Sequence, residues 1–187
     1  ANLGGGALTV TGSGAVTDPK LTSLNGVDVT LDGTGTIATN QWTTLAGGSL
    51  TIKGGTYTFP AMTDVDGSSL YTQASSRLTL PAVIGYAATS NFATTTFQAS
   101  GAGSVLSLPA LAAITLNATY AGAVQLQALS GGDLEVPAPT QNADPVQVQA
   151  TGAGSIVNLS GLGSFNGGGA LSVTTGGTVT GPKLTSL

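Results

Sequence analysis

The chain of 187 residues contains neither cysteine nor histidine. Without cysteine no disulfide can hold it, and no redox compartment is marked. Without histidine the commonest general base and the commonest metal ligand are missing. Charge is scarce too: four basic and eight acidic side chains give a net charge of −4. That leaves no electrostatic footprint for nucleic acid and no polybasic patch for anionic lipid. Apolar runs last only a few residues, so no membrane insertion is expected. Lys, Arg and Glu, on which helices draw, are few.

Glycine, threonine and serine abound instead, a composition suited to short strands and tight turns. Period-two alternation recurs throughout, as in "ALTVT", "VDVTLD", "SLTIK", "VQLQA", "VQVQA" and "ALSVTT". Each such stretch reads as a half-buried strand. The alternation is itself repeated. Pro19, Asn40, Pro60, Pro81, Pro109, Pro137, Ser160 and Pro182 fall in one column when the chain is aligned on itself. Three residues earlier stand Val16, Ile37, Tyr57, Leu78, Leu106, Leu134, Val157 and Val179. Two residues later stand Leu21, Trp42, Met62, Val83, Leu111, Pro139, Leu162 and Leu184. Five residues later stand Leu24, Leu45, Val65, Tyr86, Ile114, Asn142, Phe165 and Leu187, with Pro139 and Asn142 the misfits of the two columns. A further column holds Leu8, Val29, Leu50, Leu70, Phe97, Leu126, Val148 and Leu171.

Each repeat therefore reads as short strand, glycine turn, short strand, proline corner, short strand. Proline cannot donate to a strand ladder, so it belongs at the bend. Three such short strands cannot bury an apolar face alone, but stacked repeats can. The pattern predicts an all-β parallel β-solenoid (a β-helix). It would have about eight coils of 20–29 residues, three short strands per coil and inward columns of Leu, Val and Ile. At about 4.8 Å per coil the rod would be on the order of 40 Å long. A leucine-rich repeat is disfavoured because no stretch has helix-length periodicity. A Greek-key sandwich would show hairpin turns and no aligned corner.

Residues 4–24, "GGGALTVTGSGAVTDPKLTSL", and residues 167–187, "GGGALSVTTGGTVTGPKLTSL", agree at 16 of 21 positions. Core packing would preserve the apolar columns but not the polar letters of "PKLTSL", so duplication is the simpler cause. The expected organisation is one solenoid domain over residues 1–187. Within it, residues 1–163 form a seven-coil block and residues 164–187 the first coil of the next block. No leader-like segment stands at Ala1, and Leu187 falls in a core column. The chain is therefore expected to be a piece of a longer tandem array.

Cysteine-free, low-charge, glycine- and threonine-rich coils of this kind resemble the solenoid regions of large bacterial surface and secreted proteins, adhesins and filamentous-haemagglutinin-like proteins among them. The resemblance lies in composition and coil pattern along the whole chain. The proline corner and the coil length depart from the shorter haemagglutinin-like coils. It implies an extracellular or cell-surface structural rod, a spacer or adhesive stalk without catalysis. The partners it implies are cell-surface glycans or copies of itself through the solenoid ends.

The acidic pairs Asp64 and Asp66, in "TDVDGSS", and Asp133 and Glu135, in "GGDLEVP", flank an inward apolar residue and so face outward together. "DVDG" has the beginning of a calcium loop without its further ligands. Glycoside hydrolysis needs two carboxylates facing one cleft, and lyases need a cation; the only arginine is Arg77. No catalytic residue, metal site or cofactor is read from these patterns. A carbohydrate-binding or carbohydrate-processing β-helix stays as the alternative. An ice-binding solenoid is the lesser one, because the Thr56/Thr58 and Thr178/Thr180 pairs are separated by coils bearing Arg77, Val105, Asp133, Glu135 and Ile156. Gln98, Gln125, Gln127, Gln147 and Gln149 are placed to form a stacked amide ladder. The candidate ligand-binding residues lie where two column intervals lengthen to 27 and 29 residues. These insertions, "AATSNFATT" and "TLNATYAGA", carry Asn91, Phe92, Asn117 and Tyr120, and they should lie side by side on the rod.

Overall fold

The computed structural model describes residues 1–89, 94–116, 122–138, 141–142, 146–165, 169–181 and 183. Among them there is no helix, and every strand pairing is parallel. A long sheet is built in chain order from Asn2–Val10, Ser23–Leu31, Ser49–Ile52, Ser69–Thr72, Thr95–Ser100, Val124–Leu129, Val146–Thr151 and Ala170–Thr174. A second, six-stranded sheet stacks Thr56–Thr58, Arg77–Thr79, Val105–Ser107, Asp133–Glu135, Ile156–Asn158 and Thr178–Thr180 just before the corners. This is the parallel β-solenoid that the alternation predicts.

The columns stack residue on residue. Leu8 pairs with Val29, Val29 with Leu50, Leu50 with Leu70, Leu70 with Phe97, Phe97 with Leu126, Leu126 with Val148 and Val148 with Leu171. On the six-stranded sheet Tyr57, Leu78, Leu106, Leu134, Val157 and Val179 stand in one line. Asn142, a misfit by type, holds its register opposite Phe165. Because a one-residue slip would turn a whole strand inside out, this agreement fixes which face is buried.

The corners are turns in which the residue before the corner accepts from the residue three further on. Phe59, Leu108 and Leu159 each offer a carbonyl this way, with Pro60, Pro109 and Ser160 at the second position. Phe59, Leu80, Leu108, Val136 and Leu159 thereby point inward and are buried. They form a second inner line that the sequence columns did not single out.

Three strands per coil is not uniform. In the first two coils the third-side and long-sheet segments merge into the nine-residue strands Asn2–Val10 and Ser23–Leu31. Gly26, at φ +65°, makes the bend within the second of these without ending it. Ala15–Val16 and Thr36–Ile37 form a separate two-stranded sheet rather than extending the six-stranded one. In the third coil the break falls at Gly47 and Gly48, between Thr44–Ala46 and Ser49–Ile52. A Cβ on Gly48 would lie 2.1 Å from the Val27 carbonyl oxygen, so the coils approach there only because the side chain is missing.

Buried serines tie coil to coil. The Ser68 hydroxyl donates to the Leu45 carbonyl (2.9 Å) and accepts from the Gly48 amide (3.1 Å). The Ser76 hydroxyl donates to the Ile52 carbonyl, and that of Ser155 accepts from the Gly131 amide. Each satisfies backbone groups that the turns would otherwise leave unpaired in the interior.

Candidate functional site

Asn91, Phe92, Asn117 and Tyr120 all lie outside the described residues. Their stems are described. Ala88 pairs with Leu116 on the entering side, and Thr95 pairs with Val124 on the leaving side. The two insertions therefore leave and rejoin the solenoid at adjacent positions.

Beside those stems, on the third side, lies a shallow depression of about 320 Å³ walled by Asp64, Asp66, Ile84, Gly85 and Thr115 among others. Ile84 is 69% exposed there, the most exposed large apolar side chain among the described residues. The two carboxylates have structural partners. Asp64 Oδ1 accepts from the Asp66 amide at 2.9 Å, and Asp66 Oδ1 accepts from the Ala87 amide of the next coil at 2.7 Å. The Asp66 side chain thus stands in for a backbone carbonyl in the link between coils. Behind the depression the Tyr86 ring packs edge-on to Phe97, with centroids 4.8 Å apart. Its hydroxyl donates to the Ser68 carbonyl. Burial pushes its pKa up to about 12.

The second acidic pair lies on the six-stranded sheet, and here the structure joins what the sequence leaves scattered. Arg77 and Glu135 are 58 residues apart, yet their side chains meet at 3.4 Å. They reach each other across Val105–Ser107, the strand between them, whose Ser107 is only 4% exposed. Asp133 stands in line with Arg77 and Val105. Partial burial, then the neighbouring Glu135, raises its pKa, and Arg77 opposes the shift. The register explains the meeting: Arg77 and Glu135 stand two coils apart in different outward columns, a diagonal set by the coil rise rather than by the 58 residues between them. Among the described residues, no three acidic side chains group as a metal site would require.

The outward face of the long sheet carries the most ordered polar array. The amide of Gln98 donates to the Gln127 side-chain oxygen (2.7 Å), and that of Gln127 donates to Gln149 (3.2 Å). In the neighbouring column Gln125 donates to Gln147 (3.0 Å), and Gln127 also donates to Gln125 (3.1 Å), joining the two lines. Toward the N-terminal end the same position holds Thr9, Thr30 and Thr51, a threonine column that no motif in the sequence singles out, before Tyr71 interrupts it. Its signal was the register, since these threonines stand one residue after Leu8, Val29 and Leu50. On the six-stranded sheet Thr56 and Thr178 are separated in their column by Arg77, Val105, Asp133 and Ile156, as the sequence indicates.

Among the described residues no helix is long and apolar enough to cross a membrane. No family model, no curated protein and no solved structure matches the chain.

Proposed function

We propose that this chain is a stiff structural segment of an extracellular or cell-surface protein, a spacer or adhesive stalk rather than a catalyst. The observation that carries the reading is the unbroken register of the long sheet from Leu8 to Leu171. Eight strands locked in parallel by side-chain columns resist bending, and from Thr56–Thr58 onward each coil is held by its neighbours on the six-stranded sheet as well. The outward glutamines support it further: their amides bond to one another along the axis and so brace the rod. The likeness of residues 4–24 to residues 167–187 suits a tandem array of 163-residue blocks. The resemblance to adhesin solenoids supplies the surface location.

The test is to join two and four copies of residues 1–163 and measure particle length by electron microscopy and small-angle scattering. A spacer lengthens in proportion to copy number and stays straight. Beads on a flexible string would overturn the reading. A carbohydrate-binding β-helix remains the second reading, favoured by the depression in which Asp64 and Asp66 face the exposed Ile84. Carboxylates beside an apolar surface suit the hydroxyls and C–H face of a sugar. A glycan array probed with the chain and with its Asp64→Asn variant decides it, since only a site there loses signal on substitution.

A further inference from the structure

The depression on the third side lies where an outward column shrinks. Thr44 bridges to Asp64, and four residues after the next two corners, Pro81 and Pro109, stand Gly85 and Ala113, which pair with each other. A Cβ placed on Gly85 would meet nothing within 4 Å, so the floor is open. The exposed Ile84 gives it an apolar wall. At about 320 Å³ it stands at the lower end of ligand pockets, which begin at about 300 Å³. Asp64 and Asp66, both half-buried, supply the polar wall. Each spends one carboxylate oxygen on a backbone amide, and among the described residues no donor reaches the other oxygen of either. The four basic side chains, Lys20, Lys53, Arg77 and Lys183, are all described, and none lines the depression. The one ion pair among the described residues joins Arg77 to Glu135 on the six-stranded sheet. Two carboxylates thus share one cavity, with no cation of the chain to balance them.

We propose that the depression takes an amino sugar with a free, protonated amine, a unit of a glucosamine-containing glycan. The inference rests on the carbohydrate-binding reading of this depression and narrows it to a cationic saccharide. A neutral sugar would use the apolar wall and the acceptor oxygens but leave the charge unbalanced. An ammonium group donates to the free oxygens of Asp64 and Asp66 in charge-assisted bonds, about twice as strong as neutral ones. The C–H face of the ring covers Ile84 and Ala113, and Gly85 leaves room for it at the floor. The exposed Thr115 hydroxyl donates to the Tyr86 carbonyl, and its own oxygen is left to accept from a ring hydroxyl. Acidic sugars are turned away by like charge.

The experiment titrates the 187-residue chain with the glucosamine trimer, its N-acetylated form and trigalacturonate. Calorimetry is done at low salt and pH ~6, where an amine is protonated and an ordinary aspartate is not. The glucosamine trimer should bind, and the N-acetylated and acidic trimers should bind about tenfold more weakly or not at all. Added salt should weaken the binding. Asp64→Asn, which keeps an oxygen for the Asp66 amide, should lower the affinity about tenfold, as one charge-assisted bond is lost. Ile84→Gln, at an exposed position, should lower it too. Asp133→Asn removes the same charge from another sheet and should leave it unchanged. Equal binding of the N-acetylated trimer overturns the inference and leaves the carbohydrate reading standing, whereas no binding of any trimer overturns both. Equal losses from Asp64→Asn and Asp133→Asn would mean general attraction to an acidic chain and overturn it as well. So would N-acetyl-lysine methylamide binding as tightly as the trimer, which would assign the depression to a polypeptide partner.

Discussion

The N-terminal coils and the later coils solve one packing problem with opposite walls. On the long sheet the second inward column reads Val10, Leu31 and Ile52, then changes to Thr72, Ala99, Ala128 and Ala150. The line before the corner changes the other way. It starts with Asp18 and Thr39, neither of them buried, and becomes Phe59, Leu80, Leu108, Val136 and Leu159, all buried. Where the long sheet supplies bulk in the first two coils the corner supplies none, and from Leu80 onward, where the corner is bulky, the sheet has threonine or alanine. The third coil, with both Ile52 and Phe59, is the crossing point. There Phe59 stacks on Trp42 of the preceding coil, centroids 5.4 Å apart, so the indole fills the space that Thr39 leaves. A solenoid core has a fixed cross-section set by its backbone, and side-chain volume must fill it to the density of other protein interiors. The six-stranded sheet begins at Thr56–Thr58, where the corner line becomes apolar, and the first two coils keep their separate pair of short strands.

The largest effect should come from charging the inner wall of the later coils. Leu106 is fully buried between Leu78 and Leu134. Leu106→Asp should cost several kcal/mol and unfold the rod at least locally, since an unpaired buried charge has no partner there. Thr58→Asp, outward on the same sheet, should stay within about 0.5 kcal/mol. Urea unfolding followed by circular dichroism compares the two, and equal tolerance would refute the inward assignment.

The exchange of bulk between walls makes the next contrast. Leu31→Ala in the early coils should cost about 2–5 kcal/mol through the cavity it opens. Ala128→Leu in the later ones should cost about 1–3 kcal/mol through overpacking. If the two walls share one volume, adding Val136→Ala to Ala128→Leu should recover part of that loss. Strict additivity of the two substitutions in urea midpoints would mean that the walls are independent.

Most of the fold could be read from the chain because coil-to-coil register is enforced by inward columns, and columns survive in sequence as spacing. The line Phe59, Leu80, Leu108, Val136 and Leu159 was equally readable, since an apolar residue precedes the corner in "TFP", "TLP", "SLP", "EVP" and "NLS". The bend at Gly26 was not. A glycine between two strands looks the same whether the strand stops or turns through it, and only the backbone angle distinguishes them. The Arg77–Glu135 contact was hidden for another reason. A meeting across two coils depends on which column each side chain occupies and on how far it reaches diagonally, and spacing along the chain reports neither reach nor direction. The carboxylates of Asp64 and Asp66 were placed outward correctly, but their bonds to the amides of Asp66 and Ala87 depend on a local break in the strand pairing that no periodicity marks.

The outer face changes along the rod as well, from threonine at Thr30 and Thr51 to glutamine at Gln127 and Gln149. Gln127 bonds to three other glutamines, so Gln127→Ala should lower stability by about 1 kcal/mol. Thr30→Ala should cost less. No amide ladder runs through Thr30, and outward substitutions away from such features usually stay within about 0.5 kcal/mol. Melting temperatures of the two variants are the measure, and a larger drop for Thr30→Ala would deny the ladder a stabilising part.

The smallest effects separate the two regions by the sign of their pH dependence. Asp32, in an early turn, accepts from the Thr34 hydroxyl (2.7 Å), the Thr34 amide (2.9 Å) and the Gly12 amide (3.3 Å), and its pKa is lowered. Asp133, on the later six-stranded sheet, has its pKa raised by burial and by Glu135 against the pull of Arg77. An ordinary unfolded aspartate titrates near pH ~3.9. For Asp32 the folded state holds its proton less tightly than the unfolded state. Its contribution is present above that value and disappears as the pH falls through the lowered native pKa. For Asp133 the folded state holds the proton more tightly. The favourable contribution is present below the unfolded value and is lost as the pH rises through the raised native pKa. At pH 7 Asp133→Asn should therefore raise the melting temperature slightly, and Asp32→Asn should lower it. Going down from pH 7 toward pH 3, the advantage of Asp133→Asn should shrink as the wild-type carboxyl takes up its proton. The deficit of Asp32→Asn should shrink only at still lower pH. Melting curves at half-unit steps measure both, and two variants that shift in the same direction at pH 7 would show that the local bonds and burial around these carboxylates do not govern their titration.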